Sequence, residues 1–519
     1  MARLSKADLE QMGEEYFRAL DPERLVEVAK NLHGLAVEQL EKLEETSQTS
    51  SRPPSSDNPY HSSKRQEESA DACQDGLCEQ TPEPAQTPES ASAGSADSPD
   101  SGKEAGKRKA GKQPGAQGKW RTQPLKAERT IEHYPQQCAA CNAQLDNAQV
   151  NPAPYMGYYQ FELVSEGSGF RIECQLHHYY GATCSCGHHT QAAPGKGDCS
   201  TVTGRQVQLQ LKEYTLVGPM LGSFLASLSV RYRLSRAKIQ EFLQDWAGIE
   251  LSVGSIDRSI REAGLACRPV VEELSEQLQP ADVLHLDETP WYEWGRLCWL
   301  WVATSSTIAV FFIGRRTKQM LLHIVTTAFV GWLVSDGYGA YRWYEHRQRC
   351  LAHLIRKALA LAQAVEREAR QLAQWLLEEM RELIHAMATA ASDDPDDPGV
   401  IRLQKVALIA TGSEHPKLKA LAQEILNDWD AVVAFVYNPH LPVTNHQAER
   451  ALRHAVIARR IGYGTRSAEG SQAYAALLSV METCRLRGIN PWTYLAQVIA
   501  DRRKGLDAPP FPDSLILAS

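Results

Sequence analysis

Two short apolar runs in this 519-residue chain end in the same way. Val283-Leu284-His285-Leu286 leads into Asp287, followed by Glu288-Thr289-Pro290. Phe329-Val330-Gly331-Trp332-Leu333-Val334 leads through Ser335 into Asp336-Gly337. Each reads as a buried strand closing on an aspartate and a turn. Cys298–Thr304 and Ile308–Ile313 read as two further strands, and a helical pattern begins near Thr317. The order is therefore β, β, β, α, β, and then helices.

That order is the order of a ribonuclease-H-like α/β fold, in which the first and fourth strands lie side by side. Asp287 and Asp336 are then expected together at one edge of the sheet. Two adjacent carboxylates repel unless a positive charge sits between them. Hard oxygen ligands suit Mg²⁺ or Mn²⁺, and two such ions about 4 Å apart can activate a nucleophile and stabilise a leaving oxygen at phosphorus. A lone strand-end aspartate is more often a turn former or a helix cap. A third carboxylate, Glu449, follows in Pro442-Val443-Thr444-Asn445-His446-Gln447-Ala448-Glu449-Arg450-Ala451-Leu452-Arg453. This segment reads as a helix start capped by Thr444 or Asn445.

The rest of the chain divides by composition. Residues 1–45 read as two helices; Asp21-Pro22-Glu23 opens the second, and Leu25, Val28, Leu32 and Leu35 give it an apolar stripe suited to a short coiled coil or to its own domain. Residues 46–127 are rich in Ser, Pro, Ala and Glu and read as a disordered linker. Its last part is a basic arm: residues 103–126 carry eight Lys or Arg, including Lys107, Arg108, Lys109 and Lys112, against the single acid Glu104. The net charge of the whole chain is −8, so any affinity for phosphates has to come from such local basic segments.

Twelve cysteines are present, and two pairs are closely spaced. Cys138 and Cys141, with Cys184 and Cys186, make a four-thiolate set of the kind that selects structural Zn²⁺ within residues 128–204. Cys174, His177, His178, His188 and His189 are nearby substitutes for one ligand. Residues 205–280 read as helices. Ser235 caps one, Gly248 interrupts, and Ser252 opens the next, which is the outline of a helix-turn-helix or of an ordinary helical hairpin. In the first case Ser255, Arg258 and Arg261 face the groove. Residues 281–500 hold the expected catalytic core, with a helical insertion over about 350–440 broken by the acidic, Pro-rich segment 392–399, and residues 501–519 form a tail. The N-terminus has no apolar signal region, and the most apolar stretch, Cys298 to Gly314, is broken by Thr304-Ser305-Ser306-Thr307. A cytoplasmic location without membrane contact is expected.

HLDETPW, SDGYGAY, CLAHLIRK and TNHQAERALR, in this order, resemble the bacterial insertion-sequence-66 family of DDE transposases. The resemblance continues through residues 459–495 and takes in GKQPGAQG at 111–118 and the cysteine pairs. It implies that Asp287, Asp336 and Glu449 are catalytic, metal-binding acids on a ribonuclease-H-like core. The reaction implied is cleavage of DNA at element ends and joining to target DNA. DNA is the implied partner, with a homo-oligomer and accessory proteins of the same element, and a nucleoid-associated location. Arg450 and Arg453 are the candidates for holding the scissile phosphate. Cys350 and His353 form a C-x-x-H pair after the second aspartate, either a packed core pair or an orienting or ion-binding one. Trp291, Trp294, Trp299, Trp301 and Trp332 read as core and rim aromatics, with Trp291 or Trp294 the candidate to stack on an unpaired base. A zinc-containing DNA-binding regulator with inert acids, and a nuclease of the same fold that does not join, are the alternatives left open.

Overall fold

The computed structural model describes residues 125–146, 149–199, 209–387, 394 and 396–513, with isolated positions between 21 and 32. The basic arm with Lys107, Arg108, Lys109 and Lys112, and most of the N-terminal helices, lie outside the described residues. Asp21 is described and accepts the Arg24 N–H at 2.9 Å, the bond of a capping residue.

The cysteine-bearing part is built from short strands. β1 (Arg129–His133), β2 (Met156–Glu166) and β3 (Gly169–Tyr179) form a sheet in the order β1-β3-β2. β4 (Gly181–Thr183) pairs with β5 (His189–Gln191), and β6 (Lys196–Cys199) with β7 (Gln210–Lys212). Four helices follow: α1 (Pro219–Val230), α2 (Arg236–Ala247), α3 (Val253–Ala266) and α4 (Arg268–Leu278). Ser235 and Ser252 cap α2 and α3, accepting from Lys238 and Ser255 N–H.

The central sheet has five strands in the order β10-β9-β8-β11-β12. They are β8 (Val283–Glu293), β9 (Arg296–Thr304), β10 (Ala309–Gly314), β11 (Trp332–Ser335) and β12 (Arg347–Arg349), with α5 (Lys318–Ile324) between β10 and β11. β8, β9 and β10 are antiparallel, whereas β11 runs parallel to both β8 and β12. The first and fourth strands of the series are thus neighbours. Two details differ from the sequence reading. β8 does not stop at Asp287; it continues to Glu293, because β9 pairs with it along its whole length while β11 pairs only with residues 283–285. The far half of β8 has one open edge, and there Pro290 is tolerated. The second difference is β12, which lies in a segment read as helical. Arg347 and Arg349 look foreign to a central strand, but both are buried and paired with acids of the helical insertion, Asp428 and Glu424.

That insertion comprises α6 (Leu351–Leu361), α7 (Arg367–Met387), α8 (Pro398–Ala410), α9 (Pro416–Leu426) and α10 (Trp429–Tyr437), and it has an apolar core of its own. Asp397 caps α8 just after the acidic break. The chain then returns as α11 (His446–Gly462), α12 (Ala468–Arg487) and α13 (Pro491–Lys504), so the last helix reaches beyond the 501 boundary expected for a tail. α12 lies along the free edge of β10. The Ser479 and Thr483 hydroxyls accept the Phe311 and Ala309 N–H groups, which would otherwise be an open strand edge. A single core cluster runs from Phe161 and Leu211 through α1, α3 and the central sheet to α12 and α13. No helix among the described residues is long and apolar enough to cross a membrane.

Candidate active site

The last paired couple of β8 and β11 is His285 with Val334. Asp287 and Asp336 each come two residues later. Side chains alternate along strands, so both carboxylates belong to the face already set by that couple, on neighbouring chains about 4.8 Å apart. The Glu288 N–H donates to Asp287 Oδ1 at 2.9 Å, and the Tyr338 N–H donates to Asp336 Oδ1 at 2.9 Å. A Cβ at Gly337 would stand 2.1 Å from the Arg349 guanidinium, so a side chain there would have to push that buried arginine off its Glu424 partner.

α11 brings the third acid to this face. The position before it, Asn445, is fully buried but makes no side-chain cap. Its Nδ2 donates to the Leu286 carbonyl at 2.7 Å, its Oδ1 sits 3.1 Å from His285 Nδ1, and its backbone N–H donates to Cys350 Sγ at 3.2 Å. One side chain and its amide thereby tie β8, α6 and α11 together. Burial lowers the His285 pKa, so the ring stays neutral beside Asn445. The sequence allowed Asn445 only as a cap; its amide is spent on the strand instead.

Glu449 lies in the first turn of α11, half-buried, and its Oε1 is buried without a hydrogen-bond partner. His446 Nδ1 is 3.3 Å from Oε2 and His353 Nε2 is 3.8 Å from Oε1. Cys350, His353 and Glu449 offer ligand atoms within 4.8 Å of one another; Asp287 and Asp336 are not part of that tight group. All three acids nevertheless act on one another. Burial first, then the charges of Glu288, Asp336 and Glu449, push the Asp287 carboxyl well above the usual range. Burial lowers the pKa of His353, while the charges of Asp336 and Glu449 pull it back up. His353 thus lies within electrostatic reach of both carboxylates, 3.8 Å from Glu449 Oε1.

Sequence reasoning missed Glu288. On a strand it must face away from Asp287, and on that side it is buried against Arg316 (Nη2 to Oε1, 2.7 Å) and Tyr341 (OH to Oε2, 2.5 Å). Burial and the charge of Asp336 still push it up to about 7. Arg316 itself lies over the rings of Trp299 and Tyr338. The alternation Leu284, Leu286, Glu288 was the available signal, an acid at a core position that demands a partner.

The remaining candidates fall in three places. Arg450 and Arg453 are exposed on α11. Arg258 is exposed on α3 but bonded to the buried Glu262 (2.8 Å), and Arg261 pairs with Asp257 (2.9 Å). α3 carries a buried face of Ile256, Ser259, Ile260, Ala263 and Gly264, with Gly264 close against Ala473 of α12. The four sulfurs of Cys138, Cys141, Cys184 and Cys186 lie within 4.8 Å of one another, with Cys138–Cys186 at 3.7 Å and Cys141–Cys184 at 3.6 Å. The backbone N–H groups of Cys141 and Ala140 lower the Cys138 thiol to about 6. None of the five nearby alternatives joins this group: Cys174 is in β3, and His177 bonds His133 at 2.9 Å.

Residues 215–473 match the family described as Transposase IS66 family. The chain belongs to the IS66 transposase family. The match begins just before α1 and ends in α12, so it takes in Asp287, Asp336 and Glu449 but not the four cysteines. Beyond it, the chain is similar to proteins of Sinorhizobium fredii that are themselves uncharacterized. One, y4jO, is 28% identical over 184 residues, which is 34% of this chain and 53% of that protein. Another, y4hP, is 37% identical over 76 residues, 15% of this chain and 14% of that protein. A third, y4jD, is 24% identical over 193 residues. The chain spans about half the length, or less, of the curated relatives it matches.

Proposed function

We propose that this IS66-family chain is a DDE transposase, cleaving DNA at the ends of an insertion sequence and joining those ends to target DNA on a ribonuclease-H-like core. The observation that carries the reading is the meeting of Asp287, Asp336 and Glu449 from two parallel strands and a helix. The charges of Asp336 and Glu449 act on Asp287, and no lysine or arginine is bonded to any of the three among the described residues. A divalent cation is the natural partner for such a set, and the buried, unbonded Oε1 of Glu449 fits one.

The three acids would hold two Mg²⁺ or Mn²⁺ ions. When bound, these supply a deprotonated oxygen nucleophile at neutral pH and neutralise charge at phosphorus. Asn445 and His353 keep the α11 acid facing the strands. Arg450 and Arg453, one helical turn apart, take phosphate oxygens, as do Arg258 and the basic arm. In the first step water displaces the 3′-oxygen of a phosphodiester at the element end, leaving a 3′-hydroxyl and a 5′-phosphate. In the second that hydroxyl displaces the 3′-oxygen of a target phosphodiester, forming one phosphodiester and breaking another. Positioning and charge neutralisation are the protein's contribution. The four cysteines would hold one structural Zn²⁺, and oligomeric assembly, accessory proteins of the element and a place at the bacterial nucleoid complete the reading.

The test is a cleavage and joining assay with labelled element ends, Mg²⁺ and plasmid target. Asp287→Asn, Asp336→Asn and Glu449→Gln are each expected to lower both steps about a thousandfold or more, with end binding retained. Variants that cut and join like the parent chain would overturn the assignment.

A further inference from the structure

Two surface aromatics occupy backbone positions that ordinarily go to glycine or asparagine. β8 and β9 are joined by the two-residue loop Trp294-Gly295, between the paired residues Glu293 and Arg296. Both loop residues have positive φ, +51° and +75°. This is the geometry of a hairpin turn that favours Asn-Gly, and a bulky residue in its first place is strained. Tyr463 is the residue that ends α11, at φ +57°, where glycine is usual. The side chains are not compensated by burial: Trp294 is 70% exposed and Tyr463 76%.

The two turns form one surface. The Trp294 N–H donates to the Thr465 carbonyl and the Thr465 N–H to the Tyr292 carbonyl, both at 2.9 Å. Gly464 seals the junction, because a Cβ there would come within 2.1 Å of the Tyr292 carbonyl oxygen. Both rings therefore project from a rigid corner. Around them Arg296, Arg460 and Arg466 are exposed. The corner is also connected to the acids. His446, Arg450, Arg453, Ile457 and Arg460 are exposed positions of α11 at spacings of four, three, four and three, a stripe facing solvent that runs into the exposed Ile461 and Gly462. The stripe begins beside Glu449 and reaches Tyr463 after about 21 Å, roughly six base pairs of B-form DNA.

We propose that Trp294 and Tyr463 form a stacking site for unpaired DNA bases, about six nucleotides or fewer from the phosphate held at the acids. This deepens the transposase reading and rests on it. Exposed aromatic faces with arginines alongside are the chemistry that binds unpaired bases without regard to sequence, and the arginine stripe fits the phosphates leading to them. Strain kept at an exposed aromatic, where Asn-Gly would serve the turn better, is the mark of a binding role rather than a folding one.

The experiment uses the full chain in Ca²⁺ buffer and compares blunt duplex with the same duplex carrying a six-nucleotide single-stranded tail. The parent chain is expected to bind tailed DNA about tenfold more tightly, and Trp294→Asn and Tyr463→Ala to lose that preference while binding blunt DNA as before. Trp294→Phe is expected to keep most of it. Trp294→Asn is also expected to melt no lower than the parent, which separates stacking from structure. Equal binding of tailed and blunt DNA by the parent chain, or a preference unchanged in both variants, overturns the proposal. So does a Trp294→Asn effect seen only on self-association. Asp287→Asn is expected to leave the tail preference intact. Should cleavage prove independent of the acids while the preference still follows Trp294, the catalytic reading fails and the stacking site stands.

Discussion

The cysteine cluster and the acidic cluster hold their ligands in opposite ways. Four sulfurs converge within 4.8 Å on two short turns; backbone N–H groups favour a thiolate at Cys138, while the neighbouring cysteines raise Cys141 to about 12, so the set is ready-made in geometry and takes its remaining charge with the ion. The three acids come from separate elements, far apart in sequence, and at Asp287 burial and the charges of Glu288, Asp336 and Glu449 oppose ionisation. A closed four-ligand set suits an ion that stays and holds structure. An open set of hard ligands, destabilised until a cation arrives, suits an ion that takes part in chemistry. Folding of the first region should therefore depend on its metal. In the second, the metal should change titration and activity while the fold persists.

The largest effect expected from this contrast is at the cysteines. Cys141→Ser should lower bound zinc from about one per chain to near zero and leave residues 129–199 open to protease, since structural zinc contributes on the order of 10 kcal/mol in small modules. Zinc analysis with limited proteolysis reads this, and a protected, zinc-free variant would break the contrast. Next is Asn445→Ala. It leaves the buried Leu286 carbonyl and His285 ring of β8 without their side-chain partner, so a loss of about 2 kcal/mol is expected in denaturant unfolding, together with a fall in cleavage rate. Normal activity at reduced stability would show that Asn445 does not orient Glu449.

The pH dependence follows from the raised carboxyls. Asp287 is held well above its ordinary value and Glu288 is pushed up to about 7. The folded chain thus keeps protons that the unfolded chain has released. Without added divalent cation, and with its zinc retained, its stability should fall as pH rises from about 4.5 to 7. Mg²⁺ should flatten that fall by favouring the ionised acids, and Asp287→Asn should make it shallower. Melting curves against pH, with and without Mg²⁺, test this; identical slopes in all cases would contradict it. The smallest effect is at Arg453. Its loss should weaken all DNA sequences alike and reduce the slope of log affinity against log salt by about 1. An effect confined to one sequence would make it a base reader.

Much of the site was legible because it obeys local rules. The strand runs before Asp287 and Asp336 and the helical signature around Glu449 are short-range patterns. The two cysteine pairs are likewise local. What was not legible depends on tertiary pairing. Asp-Glu-Thr-Pro reads as a turn, yet β9 holds it extended to Glu293. Arg347 and Arg349 fall in a stretch read as helical, and it is Asp428 and Glu424, 81 and 75 residues further on, that let them sit buried in a strand. Asn445 has the composition of a cap, and only the position of β8 diverts its amide. Trp291, one of the two candidates for stacking on a base, is a buried strand residue that donates to Thr465 Oγ1 and stacks on Tyr474, which leaves Trp294 alone at the tip.

The central claim is that Asp287, Asp336 and Glu449 make one divalent-metal site. Mn²⁺ binding followed by electron paramagnetic resonance tests it without needing the right DNA. The parent chain, with its zinc retained, should bind Mn²⁺ in competition with Mg²⁺. Asp287→Asn and Asp336→Asn should each lose that binding while melting at or above the parent temperature without added Mn²⁺ or Mg²⁺, because each removes a repelling charge. Undiminished Mn²⁺ binding in both variants would contradict the account.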